Sequence, residues 1–187
     1  ADIYTFPKDA PAFEGRLQAQ GNLAGQGQDP ARLVKDMRGQ AMIAVNEGRL
    51  VDFNVLRFIF SKISVIPGLV QRLEAALPER YRAVLRRSDT LFQKIEAQAR
   101  LTGDLIALGP VNILSDAFIL SGQGQSDMAG NLTWQSVVFI PSDLTAHAAG
   151  HVPELAAIVD AKGRMEIPLQ RYQGKWQNLR LYPDMEY

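Results

Sequence analysis

Two histidines, His147 and His151, stand four residues apart, the spacing at which two metal ligands share one turn of a helix. The residues between them are Ala148, Ala149 and Gly150, so the glutamate of a zinc hydrolase is missing and no third ligand can be identified. Gly150 also argues against a rigid helix, and a solvated loop is the expectation there. Gly25-Gln26-Gly27 precedes a helical pattern, as a dinucleotide fingerprint does, but Pro30 occupies the place of the third glycine. A turn that needs open backbone angles explains the glycines better. No serine sits in a G-x-S-x-G elbow. With no cysteine, thiol nucleophiles, cysteine zinc sites, iron-sulfur clusters and disulfides are all excluded. Asp104, Asp116 and Asp127 fall at turns, where a short carboxylate is favoured because it bonds nearby backbone amides. No catalytic residue, cofactor or metal ligand is assigned, and a non-enzymatic role is expected.

Charge offers a different chemistry. The 20 basic and 20 acidic side chains cancel, without the broad positive field of a nucleic-acid binder, so nucleic acid is not an expected partner. Locally the balance is uneven: residues 57–100 hold 9 basic and 4 acidic side chains, whereas residues 101–163 hold 1 and 6. Arg80, Arg82, Arg86 and Arg87 form the densest cluster and, beside Tyr81, Val84 and Leu85, make a basic amphipathic patch able to meet anionic lipid headgroups. The competing reading is a solvated helix face whose arginines pair with nearby acids.

The elements that must carry these residues read mainly as strands. From Arg16, Leu17, Ala19, Gly21, Leu23 and Gly25 alternate with polar residues, the period of a half-buried strand. Asp29 and Pro30 then start a short helix bearing Leu33, Val34 and Met37, with Gly39 as its stop. Residues 40–53 read as a hairpin turning at Asn46-Glu47-Gly48. Asn54 opens a helical insertion, 54–87, whose apolar spacing is interrupted at Pro67-Gly68 and Pro78. Beyond it, residues 94–101, 106–114, 118–123, 131–140, 164–172 and 176–182 alternate as strands, and a short helix is expected over 152–159. The segment 23–28, LAGQGQ, is echoed at 120–125, LSGQGQ, as two glycine-bearing strand ends that need a bulge or a close backbone approach. The fold class is therefore α+β, a twisted or curved, mainly antiparallel sheet with short helices. Residues 1–12, with Pro7 and Pro11, form a linker or edge segment ahead of a single domain over 13–187.

The order of these elements resembles the C-terminal region of the AsmA family of Gram-negative envelope proteins. Its carriers are the run from Gly15 to Leu56 with Gly39, Val45, Gly48 and Leu50, the run from Thr90 to Trp134 with its F-x-x-I start, glycine turn, polar-apolar strand and G-x-G strand end, and the closing segment from Gly163 to Asp184. The resemblance implies a periplasmic, β-rich part of a protein anchored in the inner membrane through a segment absent from this chain. It further implies a part in outer-membrane biogenesis, with phospholipid transport or shielding along an apolar sheet groove, and no catalytic residues to carry over. A chain that starts at Ala1 is expected to be a processed or truncated piece of something longer. On this reading phospholipid and envelope proteins are the expected partners, and the alternative is an interaction module for outer-membrane protein assembly. Leu132, Trp134, Ile167 and Leu169 are the expected lipid-facing side chains, since each lies in a strand whose neighbours point the other way.

Overall fold

The computed structural model describes residues 13–62, 68–175 and 178. Seven strands lie side by side in chain order, every pair antiparallel: β1 (Phe13–Ala24), β2 (Arg38–Leu50), β3 (Thr90–Thr102), β4 (Leu105–Ser115), β5 (Ile119–Asp127), β6 (Asn131–Ile140) and β7 (Met165–Lys175). Strands of alternating residues, joined by tight turns at β3–β4, β4–β5 and β5–β6 and by helical connections elsewhere, give this meander, and the α+β expectation holds. At one end of the sheet, α2 (Val55–Lys62), α3 (Leu69–Ala76) and α4 (Glu79–Arg86) fill the insertion between β2 and β3, and α5 (Ser142–His151) with a 3-10 helix (Pro153–Ile158) joins β6 to β7. At the other end, among the described residues, lie α1 (Pro30–Asp36) and two tight turns. The expected edge segment 1–12 and the last expected strand, 176–182, fall outside the described residues apart from Asn178.

The helices cover one end of one face. Leu56, Ile59 and Phe60 of α2, Leu73 of α3, Leu85 of α4 and Leu144 of α5 are buried with Phe92, Leu120, Val138, Ile140 and Ile167 of the sheet and Phe118 of the β4–β5 turn. Burying each such side chain contributes about 1.5–3 kcal/mol, so this end supplies most of the stabilising apolar contact. Polar side chains hold the insertion shut. Asn54 Oδ1 accepts from Arg57 N at 2.8 Å, capping α2, while its Nδ2 donates to Val84 O at 2.7 Å and Arg87 O at 3.0 Å. Thr90 Oγ1 donates to Phe53 O and accepts from Val55 N, both at 2.8 Å, so both ends of the insertion are fastened at one point.

Four local expectations are corrected. The hairpin over residues 40–53 is one strand, β2, because Asn46-Glu47-Gly48 forms a bulge: Glu14 pairs with Arg49 and Arg16 with Asn46, leaving Gly15 opposite two residues. Glu47 has φ 53°, which lets β2 absorb the extra residue without turning. Strand β1 is exposed along its whole length rather than half-buried, since among the described residues it is the edge and the core beneath α2–α5 does not extend to it. His147 and His151 lie on helix α5, not on a loop; Gly150 is next to the C-terminal residue, where the loss of helix propensity matters least. The second glycine echo is mid-strand in β5 rather than at a strand end.

Candidate functional site

Pairing fixes which side chains share a face, because the side-chain period along a strand is two. Strand register places Leu17, Val45, Ile95, Ile113, Leu120, Val138 and Ile167 in one row across all seven strands, on the face that the helices cover. Toward the far end the next rows on this face read Ala19, Ile43, Ala97, Val111 and Gly122, then Gly21, Ala41, Ala99, Leu108 and Gly124. A last row holds Leu23, Gly39, Leu101 and Ile106. The apolar surface is thus continuous from the covered core to the far edge, but among the described residues the far-end rows of β1–β4 have no helix above them. Leu17 is 67% exposed and Ile43 38%. A depression of about 350 Å³ lies at this end, lined by Leu23, Gly39, Ala41, Ala99, Leu101 and Ile106 among others.

At the other side of the sheet's width the surface is closed. Trp134 of β6 lies across β5: a Cβ on Gly122 would come within 2.2 Å of Trp134 Cζ2, and one on Gly124 within 3.0 Å of its Cε3. The indole Nε1 donates to Ser136 Oγ at 3.1 Å, so its polar edge is satisfied while its rings cover the glycines. Leu132 and Trp134 are buried here, and Ile167 and Leu169 belong to the core beneath the helices. The four side chains expected to face lipid therefore share the apolar face but sit in its closed part. The open part is formed by Leu17, Leu23, Ile43, Ala97, Ala99 and Leu101. Its sequence signal is alternation with small residues, Ala and Gly, where the closed part has Ile, Leu, Val and Trp.

The opposite face is polar and amide-rich. Gln20, Asn22, Gln40, Gln98 and Arg100 line a second depression of about 460 Å³ with Met42. The sheet is therefore two-sided at its far end, apolar on one face and hydrogen-bonding on the other.

The arginines proposed for headgroups lie at the helix end, and three of the four meet acids. Arg80 binds Asp143, Arg82 binds Glu79 at 2.9 Å and Arg87 approaches Asp116 at 3.7 Å, while Arg86 is exposed. Arg82 Nε is buried without a hydrogen-bond partner. With Arg72 to Glu154 at 3.0 Å, the basic stretch 57–100 is joined to the acidic stretch 101–163 across the helix layer. Arg72, Arg80 and Arg87 thus clamp the basic stretch to the acidic one, while Arg57, Arg82 and Lys94 pair within their own stretch.

Titration behaviour follows the same clamps. Tyr81 is pushed up to about 12, first by burial and then by donating its hydroxyl to Asp143. Asp143 is held below the usual carboxylate range, chiefly by that hydrogen bond. Asp160 is lowered most by the backbone N–H of Arg164 and is also gripped by the Arg164 guanidinium at 2.8 Å, which fixes the turn into β7. Asp89, lowered first by the N–H of Asp52, and Asp127, lowered first by Asn131, fasten other turns. The two histidines point Nδ1 at backbone carbonyls one turn back, His147 to Asp143 O at 2.7 Å and His151 to His147 O at 2.9 Å. Among the described residues no three His, Cys, Asp or Glu side chains gather as metal ligands, and no helix is long and apolar enough to cross a membrane.

No family model matches the chain, and neither a curated protein nor a solved structure is found to be similar to it.

Proposed function

We propose that this chain is a non-enzymatic, lipid-handling domain of the Gram-negative periplasm that holds phospholipid acyl chains on the open part of its apolar sheet face. One observation supports the reading above the others: an apolar face continuous across seven strands is capped by helices at one end and left uncovered over β1–β4 at the other. Soluble proteins rarely leave such a surface bare unless something binds it. The four open strands, β1–β4, at about 4.8 Å spacing span about 14 Å, close to the length of about 15 Å that one acyl chain needs, half the hydrocarbon thickness of a bilayer. A chain lying across the strands along the Gly21, Ala41 and Ala99 row meets a shallow floor of small residues. Each methylene it buries contributes about 0.8 kcal/mol, so affinity needs no reactive or charged side chain. The setting, part of an inner-membrane-anchored protein serving outer-membrane biogenesis, comes from the resemblance to the AsmA family.

A second reading has its own observation. Strand β1 is a twelve-residue edge without proline, and all its residues are exposed. Such an edge can accept a strand of another envelope protein by β-augmentation. The two readings separate on what co-purifies in the absence of detergent: phospholipid for the first, a stoichiometric protein for the second.

A further inference from the structure

The two edges of the described sheet are built differently. Strand β7 carries Glu166, Pro168, Arg171 and Lys175, and its register with β6 shifts between Trp134 and Ser136. Charges, proline and bulges of this kind keep an edge from pairing with another chain. Strand β1 has none of them from Leu17 to Leu23, LQAQGNL, where its register with β2 is unbroken. Leu17 and Leu23 are also the most exposed large apolar side chains among the described residues, at 67% and 64%.

The backbone of this run is free to pair. A Cβ on Gly39 would lie 2.5 Å from Asn22 O and one on Gly21 2.7 Å from Gln40 O, so the carbonyls of the opposed Asn22 and Gln40 point into the space between β1 and β2. Direction alternates along a strand, so the N–H and C=O groups of Leu17, Ala19, Gly21 and Leu23 point outward from the sheet. The order of residue types around Gln20 then selects the partner. Counting away from Gln20 in both directions, Ala19 matches Gly21, Gln18 matches Asn22, Leu17 matches Leu23 and Gly15 matches Gly25. A two-fold axis at Gln20 sets each residue of an antiparallel pair against the one equally far on the other side, and a patch complementary to itself is what a two-fold dimer requires.

We infer that β1 pairs antiparallel with β1 of a second copy of this chain, about a two-fold axis at Gln20. Each Leu17 then lies against Leu23 of the other copy and each Ala19 against Gly21, and the outward-facing residues form about eight ladder hydrogen bonds. No charges are forced together, because Arg16 meets Ala24 and Glu14 meets Gln26. Opposed residues share a face, so the two apolar floors join into one, with a helix layer at each of its opposite ends. The inference does not rest on the lipid-handling reading, and it gives the β1 edge to a second copy rather than to another envelope protein.

The chain has no cysteine, so introduced thiols report the pairing directly. Opposed Cα atoms in an antiparallel pair lie about 4.5–5.5 Å apart, within the roughly 4.4–6.8 Å that a disulfide spans. Under mild oxidation Gln20→Cys is expected to run as a covalent dimer on a non-reducing denaturing gel. Gln18→Cys and Asn22→Cys are each expected to run as monomers, since each thiol is about 13 Å from its own copy, and to cross-link only when the two proteins are mixed. Sedimentation equilibrium of the parent over a concentration series is expected to show monomer and dimer in exchange. Leu17→Lys combined with Leu23→Lys, both at exposed positions, sets lysines against one another across the axis; it is expected to keep the far-ultraviolet spectrum of the folded sheet and to weaken association about tenfold or more. A parent that stays monomeric throughout the series, or three single-cysteine proteins that cross-link equally well, overturns the two-fold pairing. So does a dimer that the double lysine variant leaves intact, which would put the interface elsewhere, and so does a monomeric chain that captures a stoichiometric foreign protein along β1.

Discussion

Trp134 closes one part of the apolar face by lying over Gly122 and Gly124, an arrangement that tolerates no side chain beneath the indole. Gly122→Ala puts a carbon where the Cζ2 edge now sits, within 2.2 Å. The variant is expected to lose about 1–3 kcal/mol of stability and to shift the tryptophan emission to the red as the ring is displaced, measurable by urea denaturation and fluorescence. Tyr81 gives a second residue-level test. Its pKa is raised in the folded state, to about 12 from 10.0, so the folded protein keeps the phenolic proton that the unfolded chain gives up. Stability from this group is complete below pH 10 and is lost as pH rises from 10 to 12, by on the order of 2 kcal/mol. Tyr81→Phe is expected to flatten the fall in melting temperature over that window relative to the parent; equal slopes would contradict the clamp. Asp143 acts in the opposite direction: its lowered pKa means that its contribution is present at neutral pH and disappears as acid protonates the carboxylate.

At the scale of elements, helix α5 and the insertion decide what is covered. Thr145 Oγ1 donates to Ile140 O at 3.1 Å and accepts from Met165 N at 3.0 Å, fully buried where β6 hands over to α5 and β7 begins. Thr145→Val keeps the shape but removes both buried hydrogen bonds, and a loss of about 1–3 kcal/mol is expected in chemical denaturation. The histidines on the same helix carry no such role. The double variant His147→Ala, His151→Ala is expected to melt as the parent does, with or without zinc; zinc-dependent stabilisation that the variant loses would reveal a metal site. Much of this layout was legible in the sequence. The alternation of Ile95, Ala97, Ala99 and Leu101 specified a strand and its face, and the spacing from Val55 to Leu85 specified the helical insertion. Asp29 was readable as a cap because the residue type, Pro30 and the following apolar period agree. The β2 bulge was not readable, since Asn-Glu-Gly serves equally as a turn and only the partner strand decides. Nor was the position of the open face. Periodicity says which side chains share a face, but not how far along that face the helices reach, and Ile167 is as alternating as Ile43.

For the whole molecule, the decisive feature is a sheet longer than its helix layer. The covered end supplies the stabilising contacts and the far end is left as an apolar surface backed by a polar one, so a folded protein and an exposed hydrophobic floor coexist. That separation makes the central claim testable with matched substitutions. Ile43→Glu and Ile167→Glu introduce the same charge on the same face, one in the open part and one in the core at 0% exposure. The first is expected to fold normally, because its carboxylate reaches water; the second is expected to lose several kcal/mol or fail to fold. The most direct measurement is native mass spectrometry of the parent and Ile43→Glu after incubation with phospholipid vesicles and re-isolation without detergent. The parent is expected to carry a bound phospholipid mass, and the equally stable Ile43→Glu protein to carry little or none. A folded parent that never captures phospholipid under these conditions, or an Ile43→Glu protein that captures as much as the parent, would contradict lipid binding on the open sheet face.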